Sequence, residues 1–383
     1  MTLDVPSLRA REFPRFDQEG ISYLNAASTG PLPQRTIQAI GDFNARRAVP
    51  HTITDVELFE RLARARELVA RLVGASVTEI ALSTNTGFGI NLAAASLPLE
   101  TGDVILTPDL EFPANVYPWM AHAARRGAEY RRVSLGEEGD AQAVLEAALD
   151  LPRVRVLSVS WVGFANGVRL DIERLGALCR ERGIWFVVDA IQGLGALTLD
   201  LRRIHVDILA CGAQKWLLSP WGSGFTYVRH DIIERLDPAQ VGWTSVQGPD
   251  DFRNLLDYDL TWRSDARRYE LLTLPFQDFV GMTASLELLH ELGPSEVERH
   301  VNAMATMLVD WARTREDVTL VTPAPASQRA GIVSLVPRNA ADASARLKAA
   351  NIAHSQREGA LRFSPHCYNT REEMARVCEL LEG

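Results

Sequence analysis

Between about residue 54 and residue 322, stretches with a helical hydrophobic period alternate with short apolar runs closed by Gly, Pro or Asp. That rhythm leaves few folds open. The runs DVILTP (103–108), VRVLSVS (154–160), GIWFVVDA (183–190) and VDILACG (206–212) are rich in Val, Ile and Leu and lack a clean in–out alternation. Strands of this kind are buried on both faces, as in a mainly parallel sheet covered by helices. EIALST (79–84) reads as one more. Before it, ELFERLARARELVARLVGA places Leu58, Leu62, Leu68, Val69 and Leu72 near one helical face. LDIERLGALCRERG (170–183) ends in a basic turn followed by Gly183, a helix stop, so VLSVSW, this helix and WFVVDA form an expected βαβ unit. PFQDFVGMTASLELLHELG has Pro275 at its start and Gly293 at its end. Past PAPAS (323–327) the order becomes strand GIVSLVP, helix AADASARLKAAN, strand ALRFSP, helix TREEMARVCELL, which suits a small α+β unit.

A chain of 383 residues exceeds one typical domain. The expected division is an N-terminal arm over 1–20, a large unit over 21–290 and a small one over 291–383, which the N-terminal segment can join. A formal net charge of −9, with no run of Lys or Arg, gives no footprint for nucleic acid or an anionic membrane. No run approaches the roughly 18 apolar residues of a membrane span, and the first residues lack a signal-peptide core. Cys179, Cys211, Cys367 and Cys378 lie far apart with no CxxC pair, so they read as reduced thiols rather than a zinc cluster or a disulfide framework. A cytoplasmic protein with a small-molecule partner is expected.

Chemistry concentrates on two strand ends. Asp189 closes WFVVD at the edge where open α/β sheets place their ligands. Lys215, in CGAQKW, follows the next buried run; a lysine so placed is a candidate for a depressed pKa and Schiff-base formation, although alone it also reads as a lysine snorkelling from a turn. Together the two residues are what pyridoxal 5′-phosphate (PLP) requires. An amine must capture the aldehyde, and a carboxylate must keep the pyridine nitrogen protonated so that the ring can accept electrons from the substrate Cα. A third element, STNTGFGIN (83–91), is a polar turn leading into a helix, where backbone N–H groups and Thr86 can hold a phosphate or simply cap the helix. No GxxxxGK[ST] is present, and no GxGxxG follows an early strand, which excludes a P-loop and disfavours a dehydrogenase.

The segments YLNAASTGP, STNTGFGIN, EFPANVYPW, VVDAIQG, CGAQKW, GSGFTYV, RRYELLTLP and LRFSPHCYNT, in this order, resemble the class V aminotransferases, a fold-type-I PLP group that includes cysteine desulfurases, kynureninase and isopenicillin N epimerase. STNTGFGIN and LRFSPHCYNT are most similar to sequences called isopenicillin N epimerase-like. The resemblance implies a mainly parallel seven-stranded sheet flanked by helices with a smaller α+β C-terminal domain, PLP as cofactor, and a homodimer with shared active sites. It implies that Asp189 pairs with the pyridine nitrogen and that Gln192 approaches the phenolic oxygen. Thr86, Gly87 and Gln214 would hold the phosphate, and Thr273 would reach the phosphate of the other subunit's cofactor. Arg362 would receive the substrate carboxylate, for which its planar fork is suited, and Asn25, Ala26 and the residues to Ser28 would line the substrate side.

The chain departs from the desulfurase pattern twice. Phe112 stands where desulfurases carry a ring-stacking histidine; phenyl can stack but cannot titrate. HSQREGA (354–360) stands where their mobile loop carries a nucleophilic cysteine, and no cysteine occurs between Cys211 and Cys367. Weaker candidates are His51 and Trp161 on the substrate side, then His354, His366, Cys367 and Trp243. The expected function is PLP chemistry at the Cα of an amino acid, with transamination to a keto acid first and epimerisation or β-elimination without a cysteine nucleophile as alternatives. A non-catalytic binder of PLP or an amino acid is the contrasting class, and joint retention of Lys215, Asp189 and Arg362 counts against it.

Overall fold

The computed structural model describes residues 3–135, 140–248, 252 and 255–382. The first two residues of the expected arm and the last of the small unit lie outside them. In chain order the strands are β1 (Ser22–Tyr23), β2 (Ile80–Ser83), β3 (Val104–Pro108), β4 (Glu129–Val133), β5 (Val154–Ser160), β6 (Trp185–Asp189), β7 (Ile208–Gly212), β8 (Gly224–Val228), β9 (Val318–Leu320), β10 (Val333–Pro337), β11 (Ile352–Ala353), β12 (Ser355–Arg357) and β13 (Ala360–Phe363). Seven form one sheet in the order β2-β8-β7-β6-β5-β3-β4. β8 runs antiparallel to both neighbours and every other pairing is parallel. The expected fold class is the observed one.

Why the central runs lack alternation is visible in their packing. Phe186, Val188, Leu209 and Cys211 enter one core, whereas Trp185, Val187, Ile208 and Ala210 enter a second on the opposite face. Helices Asp55–Val73, Ile172–Arg182 and Phe276–Leu292 close the first face, and Thr86–Ser96 with Tyr117–Arg126 closes the second. Each fully buried Val, Leu or Ile side chain contributes roughly 1.5–3 kcal/mol, so both covers are needed. The βαβ unit forms as expected, with its helix ending on left-handed Gly183. At the β2 edge, the Leu82 N–H donates to buried Glu270, which also pairs with Arg66 at 2.6 Å; the exposed backbone of an edge strand is thereby capped.

Past Pro294 the chain builds an antiparallel sheet, β12-β13-β10-β9, over helices Pro294–Arg313, Ala340–Ala349 and Arg371–Glu382. β1 pairs in parallel with β11, and Leu24 enters the core of this second unit. Leu8, Phe13, Ala26 and Ala27 pack in the first core instead, so the N-terminal segment contacts both.

Helix Thr86–Ser96 sits so close to β7 and β8 that a Cβ at Gly89 would lie 2.5 Å from Thr226 Oγ1 and 2.6 Å from the Ala210 Cβ. In a free helix Gly→Ala gains about 1 kcal/mol. Here overpacking costing about 1–3 kcal/mol outweighs it, so Gly89→Ala lowers the urea midpoint with an unchanged slope; a midpoint at or above wild type would show that the helix can move off the sheet.

Candidate active site

β6 and β7 lie side by side with Asp189 opposite Ala210, which puts Asp189 and the segment Gly212–Lys215 at the same carboxyl edge. Asp189 is 3% exposed. Its Oδ1 accepts the Ile191 N–H at 3.0 Å, and among the described residues its second oxygen accepts no hydrogen bond. Burial pushes its pKa up to about 6, against the pull of Ile191 and of the Lys215 charge. Burial likewise pulls Lys215 down to about 8, opposed by Asp189 and aided by Arg362 and Arg357. At pH 8 an ordinary lysine is neutral in roughly 0.3% of molecules; the lowered pKa of Lys215 makes its neutral form far more abundant there, and only the neutral amine attacks a carbonyl. Its Nζ donates no hydrogen bond among the described residues and lies 5.6 Å over the Phe112 ring.

The backbone around Lys215 is clamped from three sides. Gly30 N–H donates to the Gln214 carbonyl at 2.8 Å, and a Cβ on Gly30 would sit 2.1 Å from the Lys215 carbonyl oxygen, so only glycine permits this approach. Trp216 Nε1 donates to Gln192 Oε1 at 2.9 Å while Gln192 Nε2 donates to the Ala27 carbonyl. One amide hydrogen of Gln192 remains available. His366 is fully buried; its Nδ1 accepts the Cys367 N–H and its Nε2 therefore carries the proton donated to the Trp216 carbonyl at 2.9 Å. Burial lowers its pKa to about 4, so it serves as a neutral link.

Helix Thr86–Ser96 points its N-terminus at the same edge. Asn85 caps Phe88, and the first N–H groups, Thr86 and Gly87, have no acceptor within the helix. Thr86 Oγ1 accepts the Gly212 N–H at 2.8 Å, which leaves its own proton to donate. Gln214 lies beside Lys215, partly buried. A free carboxylate oxygen, an unpaired amine, a hydroxyl proton and a helix N-terminus around one edge fit the nitrogen, aldehyde and phosphate of PLP.

On the substrate side, Arg362 is 1% exposed and donates to Phe164 O at 2.6 Å, Ser28 Oγ at 2.8 Å and Ser355 Oγ at 3.1 Å. Asn25 and Ala26 lie in the loop joined to Ser364, and Asn25 Oδ1 is buried without a hydrogen-bond partner. Trp161 is a core residue whose N–H donates to the Asp189 carbonyl. His51 and Thr273 are exposed and hydrogen-bond to none of these residues. His354 is held by Ser344 and the Ile352 carbonyl, the Cys367 thiol is buried with its pKa driven upward, and Trp243 packs on Phe59 and Phe252.

HSQREGA forms no long loop. β12 and β13 join through Glu358 (φ 46°) and Gly359 (φ 83°), a two-residue hairpin turn with both central residues left-handed.

Two residues escaped the sequence reading. Arg357 reaches Ser28 Oγ at 3.4 Å beside Arg362. Glu111 accepts the Ser160 N–H at 2.6 Å and its hydroxyl, and Ser160 lies opposite Asp189. The carboxyl before Phe112 in EFPANVYPW was the available signal, but its burial is a tertiary property. Burial raises Glu111 to about 7, against the Ser160 and Asn115 hydrogen bonds, with a small contribution from Asp189. A carboxyl with a raised folded pKa retains a proton that the unfolded chain has lost, so folding stability falls as pH rises from about 4.5 to 7. Between pH 5 and pH 8, Glu111→Gln should gain about 2 kcal/mol on wild type in chemical denaturation; a difference that stays level across this range would remove Glu111 as a titrating group.

The chain matches the family model aminotransferase class V over residues 22–377. It is 32% identical over 382 residues to an isopenicillin N epimerase of Streptomyces clavuligerus, covering 94% of each chain. It is 30% identical over 284 residues to a probable cysteine desulfurase of Methanothermobacter thermautotrophicus, covering 73% of this chain and 69% of that one. Among solved structures, an apo cysteine desulfurase from Thermococcus onnurineus superposes with a TM-score of 0.86 at 23% identity, over 100% of this chain and 98% of that chain. The cystine C–S lyase C-DES in complex with cysteine persulfide gives 0.86 at 24%, over 97% and 99%. At these identities the two structures speak for the fold. With a family match across nearly its whole length and a relative above 30% identity along it, the chain belongs to the class V aminotransferase family of PLP-dependent enzymes acting on amino acids.

Proposed function

We propose that this chain is an aminotransferase that holds PLP on Lys215 and moves an amino group from an amino acid to a keto acid. The observation that carries this reading is the placement of Asp189 and Lys215 at the ends of adjacent parallel strands, facing the N-terminus of helix Thr86–Ser96. Lys215 would hold the cofactor covalently through Nζ, and the free oxygen of Asp189 would hold its ring nitrogen. Thr86, Gly87 and Gln214 would serve the phosphate, Phe112 the ring face, and the spare amide hydrogen of Gln192 the phenolic oxygen. Bound there, PLP supplies an electron sink for charge developing at the substrate Cα.

The remaining work falls to the chain. Arg362 binds the α-carboxylate through its unused N–H groups and so sets Cα against Nζ. Asn25 and Ala26 close the substrate side, with His51 and Trp161 as outer candidates. Lys215 Nζ would take the Cα proton and give it up on the cofactor side rather than back to Cα, as formation of a keto acid requires, a role its depressed pKa suits near neutral pH. Asp189 stays ionised above about pH 6 and keeps its partner charged. Epimerisation is the second reading, favoured by the Streptomyces clavuligerus relative; in it the proton returns to the opposite face of Cα. A β-elimination would have to proceed without a cysteine nucleophile, because the hairpin Ser355–Phe363 carries none.

A homodimer with Thr273 serving the second site belongs to the same proposal. Support comes from the exposure of Val241, Trp243, Leu256, Tyr258 and Leu260, an apolar surface of the kind that marks association. All four cysteines are free, which suits the cytoplasm, and no helix among the described residues is long and apolar enough to cross a membrane.

Borohydride treatment of the PLP-loaded protein should fix the cofactor on the peptide containing Lys215. Lys215→Ala should leave it exchangeable and lower turnover by about 10²–10⁴-fold. Fixation on another lysine, or a protein that takes up no PLP, would end this reading. Conversion of amino donors to keto acids separates transamination from epimerisation, which yields only the amino acid inverted at Cα.

A further inference from the structure

We propose that Arg357 and Arg362 together form a pocket selecting amino acids whose side chain carries a second anionic group, such as a carboxylate. This rests on the reading that Arg362 receives the α-carboxylate.

The hairpin turn at Glu358–Gly359 sets the register in which Ser355 faces Arg362 and Arg357 faces Ala360. Ser355 and Arg357, two apart on β12, share a face of the sheet, so Arg357 is the diagonal neighbour of Arg362. Both guanidinium groups turn to one hydroxyl. Arg362 Nη2 is 2.8 Å from Ser28 Oγ and Arg357 Nη2 is 3.4 Å from the same atom.

Two cations meeting at one oxygen repel, and no carboxylate among the described residues pairs with either to offset this. The hydrogen bonds of Arg362 go to Phe164, Ser28 and Ser355 and those of Arg357 to Gln356 and Ser28. The repulsion registers in the neighbours: Arg362 is lowered to about 10, first by burial and then by Arg357, and Arg357 also lowers Lys215.

A donor count shows what the pair can accept. A guanidinium has five N–H groups. Arg362 uses three, on Phe164, Ser28 and Ser355, and retains two, enough for one carboxylate. Arg357 uses two, on the Gln356 carbonyl and Ser28, and keeps three. An α-carboxylate satisfies Arg362 and leaves Arg357 unmatched. An acidic side chain supplies the missing charge, and an uncharged one does not.

The test titrates PLP-loaded protein with L-glutamate and L-aspartate against L-glutamine and L-asparagine, following the change in visible absorption. The acidic members should bind at least tenfold more tightly than their amides. In Arg357→Gln that ratio should fall about tenfold, and Arg357→Lys should restore part of it. Equal affinities in wild type, or a ratio unchanged in Arg357→Gln because both classes weaken together, would overturn the proposal; the second result would mean that both arginines hold one carboxylate. Calorimetry with glutarate and butyrate on protein without PLP supplies an independent reading, in which preference for glutarate lost in Arg357→Gln supports the pocket and equal binding refutes it. A chain that takes up no PLP yet prefers glutarate would sink the aminotransferase reading while supporting this one.

Discussion

The parallel pairing of β6 with β7 is the constraint on which the site depends. Because Asp189 lies opposite Ala210, the carboxylate that ends one strand and the lysine that follows the other emerge together at one edge. A slip of one residue would turn Asp189 to the opposite face of the sheet. A buried polar contact favours this register: the Asp207 carboxylate accepts the Phe186 N–H at 2.8 Å. The fold thereby brings two opposite charges out of bulk water, a cost that their mutual attraction only partly repays. Asp189 rises and Lys215 falls, the carboxylate remaining mostly ionised at neutral pH while a usable share of the amine loses its proton.

Much of this was legible because it is written in local pattern. Unbroken apolar runs announced the central strands, and Gly183 and Gly293 announced helix ends. Asp189 and Lys215 were legible as strand-end residues for the same reason. What stayed hidden is non-local. β4, with the sequence EYRRV, is an outer strand with exposed polar residues and no apolar signal. The reversed direction of β8 follows from its partners rather than its composition. HSQREGA reads as a loop until β13 lies beside it. Glu111 and Arg357 are ordinary charged residues in the sequence; their surroundings come from distant segments, Ser160 for one and Ser28 for the other.

The environment also reassigns residue types. His366, the histidine bonded beside the lysine segment, is fixed in one neutral tautomer by Trp216 and Cys367 and contributes geometry rather than protons. Phe112, at a position where the desulfurase pattern has an imidazole, contributes only a ring face. Proton-bearing capacity near neutral pH resides instead in Lys215, Asp189 and Glu111, all shifted chiefly by burial.

The parallel pairing of β1 with β11 sets an order on biosynthesis. Residues 22–30 leave the ribosome early, yet their partners, Ala353, Ser364 and the Gln214 carbonyl, span nearly the rest of the chain. All seven strands have emerged by residue 228, and Gln192 and Gln214 are then present to hold Ala27 and Gly30, whereas the bonds of Leu24 and Ala26 to Ala353 and Ser364 must wait for the last hairpin. The lysine is therefore synthesised, and its strand placed, before the wall around it is complete, so a nascent chain halted short of residue 352 would lack the His366 link to the Trp216 carbonyl and the anchoring of residues 22–26.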